Sequence, residues 1–194
     1  MITRNAKRLL NLSSDILEVS RIESNTLQLS KEPIDLAKKI KVILDDMRSV
    51  IPEEKRVQLT FKPKSNKAVM IDGDRERIFQ VISNLLSNAI KFTDEGEVAV
   101  ELEEKDGQAV VHVRDSGHGI APDIYPKLFT KFATKSDRGT GLGLYVAKNV
   151  VEAHGGSIWA ENNRDGKGAT FSFTLPLSTY AVKDLENATE SEKG

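Results

Sequence analysis

Apolar positions along the chain recur with two different periods, and the switches between them mark out the elements. Ile2, Leu9, Leu12, Ile16 and Val19 line one stripe that Leu10, Leu17 and Ile22 widen, which predicts a helix over residues 1–30 that packs on other helices. So short a stretch cannot complete a core by itself. It either pairs with a second copy or with helices outside this chain, or it lies on its own domain. Pro33 ends that helix, and Asp35 is placed to cap a second one whose apolar face is Leu36, Ile40, Ile43, Leu44 and Met47. Residues 57–61 alternate as a half-buried strand, and 68–71 form another. Asp74 caps a long helix reaching Phe92. Residues 97–103 alternate, Asp106-Gly107 turns the chain and 109–113 return as a hairpin. A helix over 144–153 stops at Gly155-Gly156, and a last hairpin joins 157–161 to 169–175 across Asp165-Gly166. The tail from Ser178 is polar and acidic and reads as disordered. Helices and antiparallel hairpins in this order predict an α+β fold, a two-layer α/β sandwich whose one mixed sheet is covered on one face by helices.

Composition narrows the chemistry. Lys and Arg number 28 against 29 Asp and Glu, so the excess of cations that drives sequence-independent nucleic-acid binding is missing. Cysteine is absent, which removes disulfides, thiolate nucleophiles and thiolate-held zinc together. His112, His118 and His154 are too far apart for a paired zinc motif. No apolar run reaches membrane-spanning length and no signal-peptide core opens the chain, so it is expected to be soluble and cytoplasmic.

Three stretches carry chemistry. On the helix 78–92, Ile78, Val81, Ile82, Leu85, Leu86, Ala89 and Ile90 share one arc, while Gln80, Asn84, Asn88 and Lys91 stack opposite. A solvated face favours Glu, Lys and Arg over Asn, a weaker helix former. Asn at i and i+4 instead offers neutral amide oxygens suited to a magnesium ion that keeps waters and borrows phosphate ligands. Residues 115–120, Asp-Ser-Gly-His-Gly-Ile, follow a strand. Asp115 there either caps a turn or faces a ligand amino group, such as that of adenine. An EF-hand is excluded because the further acidic ligands are missing. Residues 139–144, Gly-Thr-Gly-Leu-Gly-Leu, open a helix, where free N–H groups attract anions. Lys127, Lys131, Lys135 and Arg138, interleaved with Leu128, Phe129 and Phe132, precede that run as a short basic flap. Nucleic-acid contact is the competing reading of the flap, and the net charge opposes it.

In this order the pieces resemble the boxes of the sensor histidine kinase catalytic domain, a branch of the ATPase superfamily that includes gyrase B, Hsp90 and MutL. Residues 83–93, Ser-Asn-Leu-Leu-Ser-Asn-Ala-Ile-Lys-Phe-Thr, resemble the N box. Residues 115–120 resemble the G1 box, 129–132 the F box and 139–144 the G2 box. The helix ending Val-Glu-Ala-His-Gly-Gly at 151–156 also matches. Residues 15–23, Asp-Ile-Leu-Glu-Val-Ser-Arg-Ile-Glu, resemble the second helix of the dimerisation domain. The implied organisation is a partial dimerisation helix over 1–32, a catalytic domain of Bergerat (GHKL) fold over 33–177 and a tail over 178–194.

The resemblance further implies that Asn88 ligates magnesium on the ATP phosphates with Asn84 supporting it, and that Lys91 meets a phosphate. Phe92 would border the adenine, Asp115 would bind its amino group, Gly117 and Gly119 would permit close approach, and Ile120 would belong to the same cofactor site. Gly139, Thr140, Gly141, Leu142 and Gly143 would present backbone to the phosphates, with Lys135 and Arg138 as γ-phosphate partners. Gyrase-like hydrolases carry Glu where Asn84 stands; an amide takes no proton, so hydrolysis should be slow and ATP kept for transfer. The first dimerisation helix, with its acceptor histidine, is expected to be missing from this chain. The expected activity is then γ-phosphoryl donation from Mg-ATP to a histidine on a dimerisation helix in cis or trans. The expected partners are that domain, a response regulator receiver domain and a second copy through the N-terminal helix. A nucleotide-dependent interaction module without turnover, or a slow ATPase, is the alternative. Membrane anchoring of a parent protein stays open.

Overall fold

A computed structural model of the chain describes residues 2–24, 26–49, 51–52, 54–134 and 139–178, with side chains from residue 12 onward. Helix α1 (Ile2–Glu23) is followed by β1 (Lys31–Asp35), α2 (Leu36–Arg48), β2 (Arg56–Pro63), β3 (Met70–Asp74) and α3 (Arg75–Phe92). Then come β4 (Glu95–Lys105), β5 (Gln108–Asp115), α4 (Gly143–Ala153), β6 (Ile158–Asn162) and β7 (Ala169–Pro176). The main sheet has five strands in the order β2-β4-β5-β7-β6. β2 runs parallel to β4 and every other pair is antiparallel.

One face of this sheet carries Val98, Val100 and Leu102 of β4, Val111 and Val113 of β5, and Phe171, Phe173 and Leu175 of β7. Against it pack the buried arcs of α2, α3 and α4; all seven apolar positions read on α3 are buried. The other face carries Glu97, Glu101, His112 and Trp159. This is the polar-out alternation of an antiparallel sheet with one wet side. Among the described residues no helix is long and apolar enough to cross a membrane.

Both predicted caps are present: Asp35 accepts the backbone N–H of Lys38, and Asp74 accepts those of Glu76 and Arg77. Three expectations differ. The mixed sheet is accompanied by a second, two-stranded sheet of β1 and β3, which accommodates Pro33 because a strand with one neighbour can spare an N–H. β3 begins at Met70, later than residue 68, because its register is set by β1, with Asp35 opposite Met70 and Lys31 opposite Asp74. Lys31 and Glu32 therefore pair with Asp74 and Gly73 of β3. That helix ends at Glu23 and not at Pro33: the Ser24 hydroxyl donates to the Ser20 carbonyl at 2.8 Å, and the Thr26 N–H reaches the Arg21 carbonyl at 2.9 Å.

Helix α1 does lie on its own domain, along one edge. Val19 and Ile22 pack against the core and Glu18 is buried, whereas Ile16 and Leu17 remain 52% and 60% exposed. The sequence predicts a disordered tail from Ser178, but Ser178 is buried, its N–H donating to the Met70 carbonyl at 2.8 Å and its hydroxyl to Asp72 at 3.0 Å; residues 179–194 lie outside the described residues.

Candidate functional site

A cleft of about 450 Å³ opens between α3, the loop after β5 and the glycine run ahead of α4. Because the apolar arc of α3 is consumed by the core, its opposite positions Asn84, Asn88 and Lys91 are left to line the cleft. The Asn84 Nδ2 amide donates to the Gly143 carbonyl at 3.1 Å. That bond ties α3 to the start of α4 and leaves the Asn84 amide oxygen unpaired among the described residues. A Cβ at Gly143 would already touch this side chain, at 3.4 Å from its Cγ. Asn88, half-buried in the cleft wall, makes no hydrogen bond among the described residues. The Lys91 ammonium lies 5.1 Å from the Phe92 ring centroid and stands against the glycine run, 2.9 Å from where a Cβ of Gly139 would be.

Asp115, the last residue of β5, forms the opposite wall and is 4% exposed. Its Oδ1 accepts the N–H groups of Gly117 at 2.9 Å and Ala169 at 3.3 Å. Burial pushes its carboxyl above the usual range, while these two bonds and the charges of His118 and Arg114 pull it back. Main chain and the Asn163 side chain fix it from several sides. The Asn163 amide donates to its carbonyl at 2.8 Å, and a Cβ at Gly168 would stand 2.0 Å from that same oxygen. Gly117 does not line the cleft; it is glycine because a Cβ there would lie 2.1 Å from the Phe92 carbonyl oxygen. Gly119 and Ile120 do line it, clamped by Asn162, which accepts the Ile120 N–H at 2.6 Å and donates to its carbonyl at 3.0 Å.

Gly139, Thr140, Gly141 and Gly143 form the third wall. Gly141 has φ +70°, and a Cβ there would meet the Phe132 backbone at 2.7 Å. Leu142 is fully buried and does not line the cleft; its N–H reaches the Thr140 hydroxyl at 3.3 Å. Lys135 and Arg138 lie outside the described residues.

Sequence reading missed the charged lining residue contributed by α1. Asp15 of α1 enters the cleft and accepts the Thr140 hydroxyl at 2.8 Å. Burial raises its carboxyl, the Thr140 bond lowers it and the Glu18 charge raises it again. Two further ionic contacts hold α1 nearby: Glu18 with Arg77 and Gln80 of α3, and Glu23 with Lys131. Periodicity hides Asp15, which sits among the apolar positions of an amphipathic helix. Ile124, Leu128, Ala169 and Phe171 also line the cleft and were not anticipated.

The cleft thus has an apolar end beside a buried carboxylate and a polar end of amides, an ammonium and a helix N-terminus. The first suits a flat base with an exocyclic amino group; the second suits a chain of phosphates. Among the described residues no three His, Cys, Asp or Glu side chains cluster to hold a metal. A cation here would rest on the two unpaired amide oxygens and on ligand and water oxygens, a donor set that fits magnesium rather than zinc.

Known proteins agree with this geometry. The profile of the "Histidine kinase-, DNA gyrase B-, and HSP90-like ATPase" family matches residues 73–179. The sensor histidine kinase WalK of Bacillus subtilis is 32% identical over 97% of this chain and 32% of its own length. The sensor protein SrrB of Staphylococcus aureus is 32% identical over 91% of this chain and 31% of its own. The chain therefore spans about a third of the length of the curated relatives it matches. Full-length ShkA, crystallised with AMPPNP, superposes with a TM-score of 0.80 and 30% identity, covering 89% of this chain and 36% of ShkA. The histidine kinase ThkA in complex with the response regulator TrrA gives a TM-score of 0.72 at 28% identity, covering 91% of this chain and 49% of that one. With the profile over more than half of its residues, and a sheet and cleft to match, the chain belongs to the histidine kinase-, DNA gyrase B- and HSP90-like ATPase family, on its sensor histidine kinase branch.

Proposed function

We propose that this chain is the nucleotide-binding catalytic part of a two-component sensor kinase, which binds Mg-ATP in the cleft and donates its γ-phosphoryl group to a histidine. The observation that carries this reading is the convergence of Asn84, Asn88, Lys91 and Asp115 on one cleft from separate elements, opposite a glycine run at a helix N-terminus. Asp115 accepts the adenine amino group, and Asn88, with Asn84 beside it, holds the magnesium. Bound there, the metal neutralises phosphate charge during transfer. Lys91 and the backbone of residues 139–143 meet the phosphates, and Lys135 and Arg138 are the candidate γ-phosphate partners. Asn84 cannot act as a base on water, so hydrolysis is slow.

The acceptor comes from another helix, because the three histidines are unsuited. His112 bonds Ser172 on the far face of the sheet, His118 follows Asp115 in the adenine loop, and His154 is buried and bonded on both ring nitrogens. A histidine-bearing dimerisation domain, in cis or trans, supplies it, α1 belongs to the dimer interface of the intact kinase, and a receiver domain takes the phosphoryl group onward. ThkA's complex with a response regulator supports that last partner.

The test is labelling with γ-labelled ATP. The chain alone should bind nucleotide in calorimetry yet keep no label, and adding a histidine-bearing dimerisation domain should restore transfer to that domain. Strong self-labelling would refute the assignment. Nucleotide-driven association without transfer would favour an interaction module, for which the docking of α1 on the cleft through Asp15 and Thr140 speaks.

A further inference from the structure

An α-helix ends with carbonyls that have no intrahelical donor and with a partial negative charge. At the end of α3 the usual remedy is missing. Thr93 follows in extended conformation, φ −112° and ψ 121°, with no capping N–H turned back on the helix. A side chain from a distant segment does this work. Lys55, just ahead of β2 and only 16% exposed, donates from its ammonium to the carbonyls of Ile90 at 2.8 Å, Lys91 at 3.0 Å and Thr93 at 2.7 Å, and pairs with Asp94 at 3.1 Å. The Phe92 carbonyl is the exception in this series, and it is the one that faces Gly117.

The turn so held carries Lys91 and Phe92, which line the cleft; Lys55 itself does not. We infer that Lys55 is a positioning residue of the nucleotide site: its ammonium replaces the absent backbone cap at the end of α3 and fixes the turn that presents Lys91 and Phe92. This rests on the nucleotide reading above. The neighbouring backbone reinforces the same junction, since the Arg56 N–H donates to the Asp94 carbonyl at 3.0 Å. Lys55 thus clasps the α3 end at the point where β2 starts its parallel run beside β4. A helix C-terminus needs an ammonium or guanidinium for this role, because only a cation satisfies several carbonyls and the helix charge together.

The experiment is a double-mutant cycle on Mg-ATP affinity, read by calorimetry with the full chain. Lys55→Met should weaken binding about tenfold in the wild-type background and less than about threefold in a Lys91→Met background, because the two residues act through one turn. Lys55→Arg, which keeps the donors and the charge, should recover affinity to within about threefold of the wild type. Equal losses in both backgrounds would overturn the inference, as would a lowered melting temperature with nucleotide affinity unchanged, since a general stabiliser behaves in those ways. If Lys55→Met does not fold, Lys55→Gln, which retains a single amide donor group, carries the same cycle with the same criteria. Absence of nucleotide binding in the wild type would sink the nucleotide reading itself; binding that Lys55→Met leaves untouched would sink only the Lys55 assignment.

Discussion

Asp115 and Thr140 face the same cleft but are held by different means. Asp115 is enclosed by main chain: two N–H groups on one carboxylate oxygen, and glycines at 117 and 168 that let neighbouring carbonyls approach closer than any Cβ would allow. Thr140 is held by a side chain from another element, Asp15, and the helix bearing Asp15 is fastened by the pairs Glu18–Arg77 and Glu23–Lys131. Main-chain enclosure can be undone only by unfolding. Side-chain fastening can be released one contact at a time, at about 1 kcal/mol or less for an exposed pair and more for a buried one. The Asp115 side of the cleft is therefore built as a fixed wall and the glycine-run side as a detachable one.

The sharpest way to break this comparison is to put a methyl group into the fixed wall. Gly117→Ala should cost about 3 kcal/mol or more, because the obstructing Phe92 oxygen is backbone and cannot step aside; urea unfolding measures it, and a loss under 1 kcal/mol would show the wall to be pliable. Between the walls, Asn88→Ala removes an unpaired amide without touching the core. It should lower magnesium-dependent ATP affinity by at least about tenfold while stability stays within about 0.5 kcal/mol; titration with and without magnesium separates the two effects.

On the detachable wall, Thr140→Val should free Asp15 and cost only about 1 kcal/mol. The change should appear as faster amide exchange in α1 with little change in β5. Equal exchange in both would erase the distinction.

The smallest effect is a slope with pH. His154 is buried, donates from Nδ1 to the Val150 carbonyl at 2.7 Å and accepts the Asp74 N–H on Nε2 at 3.0 Å. Burial holds its pKa below the ordinary 6.5. The unfolded chain then takes up a proton that the native one refuses, so its contribution is complete above about pH 6.5 and is lost as pH falls toward the native value. Asp115 has the opposite sign: its raised carboxyl favours the native state at low pH, an advantage lost as pH rises through that value. Replacing His154 by Asn should flatten the fall in stability as pH drops below about 6.5, measured by denaturant midpoints.

How far the molecule can be read from its sequence depends on whether the signal is local. Asp35 and Asp74 announced their helices because a cap acts within a few residues, and the arc of α3 was legible because seven apolar positions repeat with one period. β1 left no trace. Lys31, Glu32 and Pro33 are exposed and only Ile34 is buried, so the strand exists through its pairing with distant β3 and not through its own pattern. The site followed the same rule. Asn84, Asn88 and Lys91 could be placed on one face by geometry alone, whereas Asp15, Phe171 and Ala169 reach the cleft by tertiary packing. Gly117 shows a signal the motif does not carry: a Cβ there would collide with the Phe92 carbonyl, a contact made only in the folded chain.

Asp15 and Ile16 are adjacent on α1, so they point about 100° apart around its axis. One meets Thr140 and the other meets water. The azimuth of this helix is thereby coupled to the glycine run: turning α1 by a single residue step would carry Ile16 toward Thr140 and swing the carboxylate out of reach. A protein surface that seized Ile16 and Leu17 would exert torque on the cleft without ever touching it.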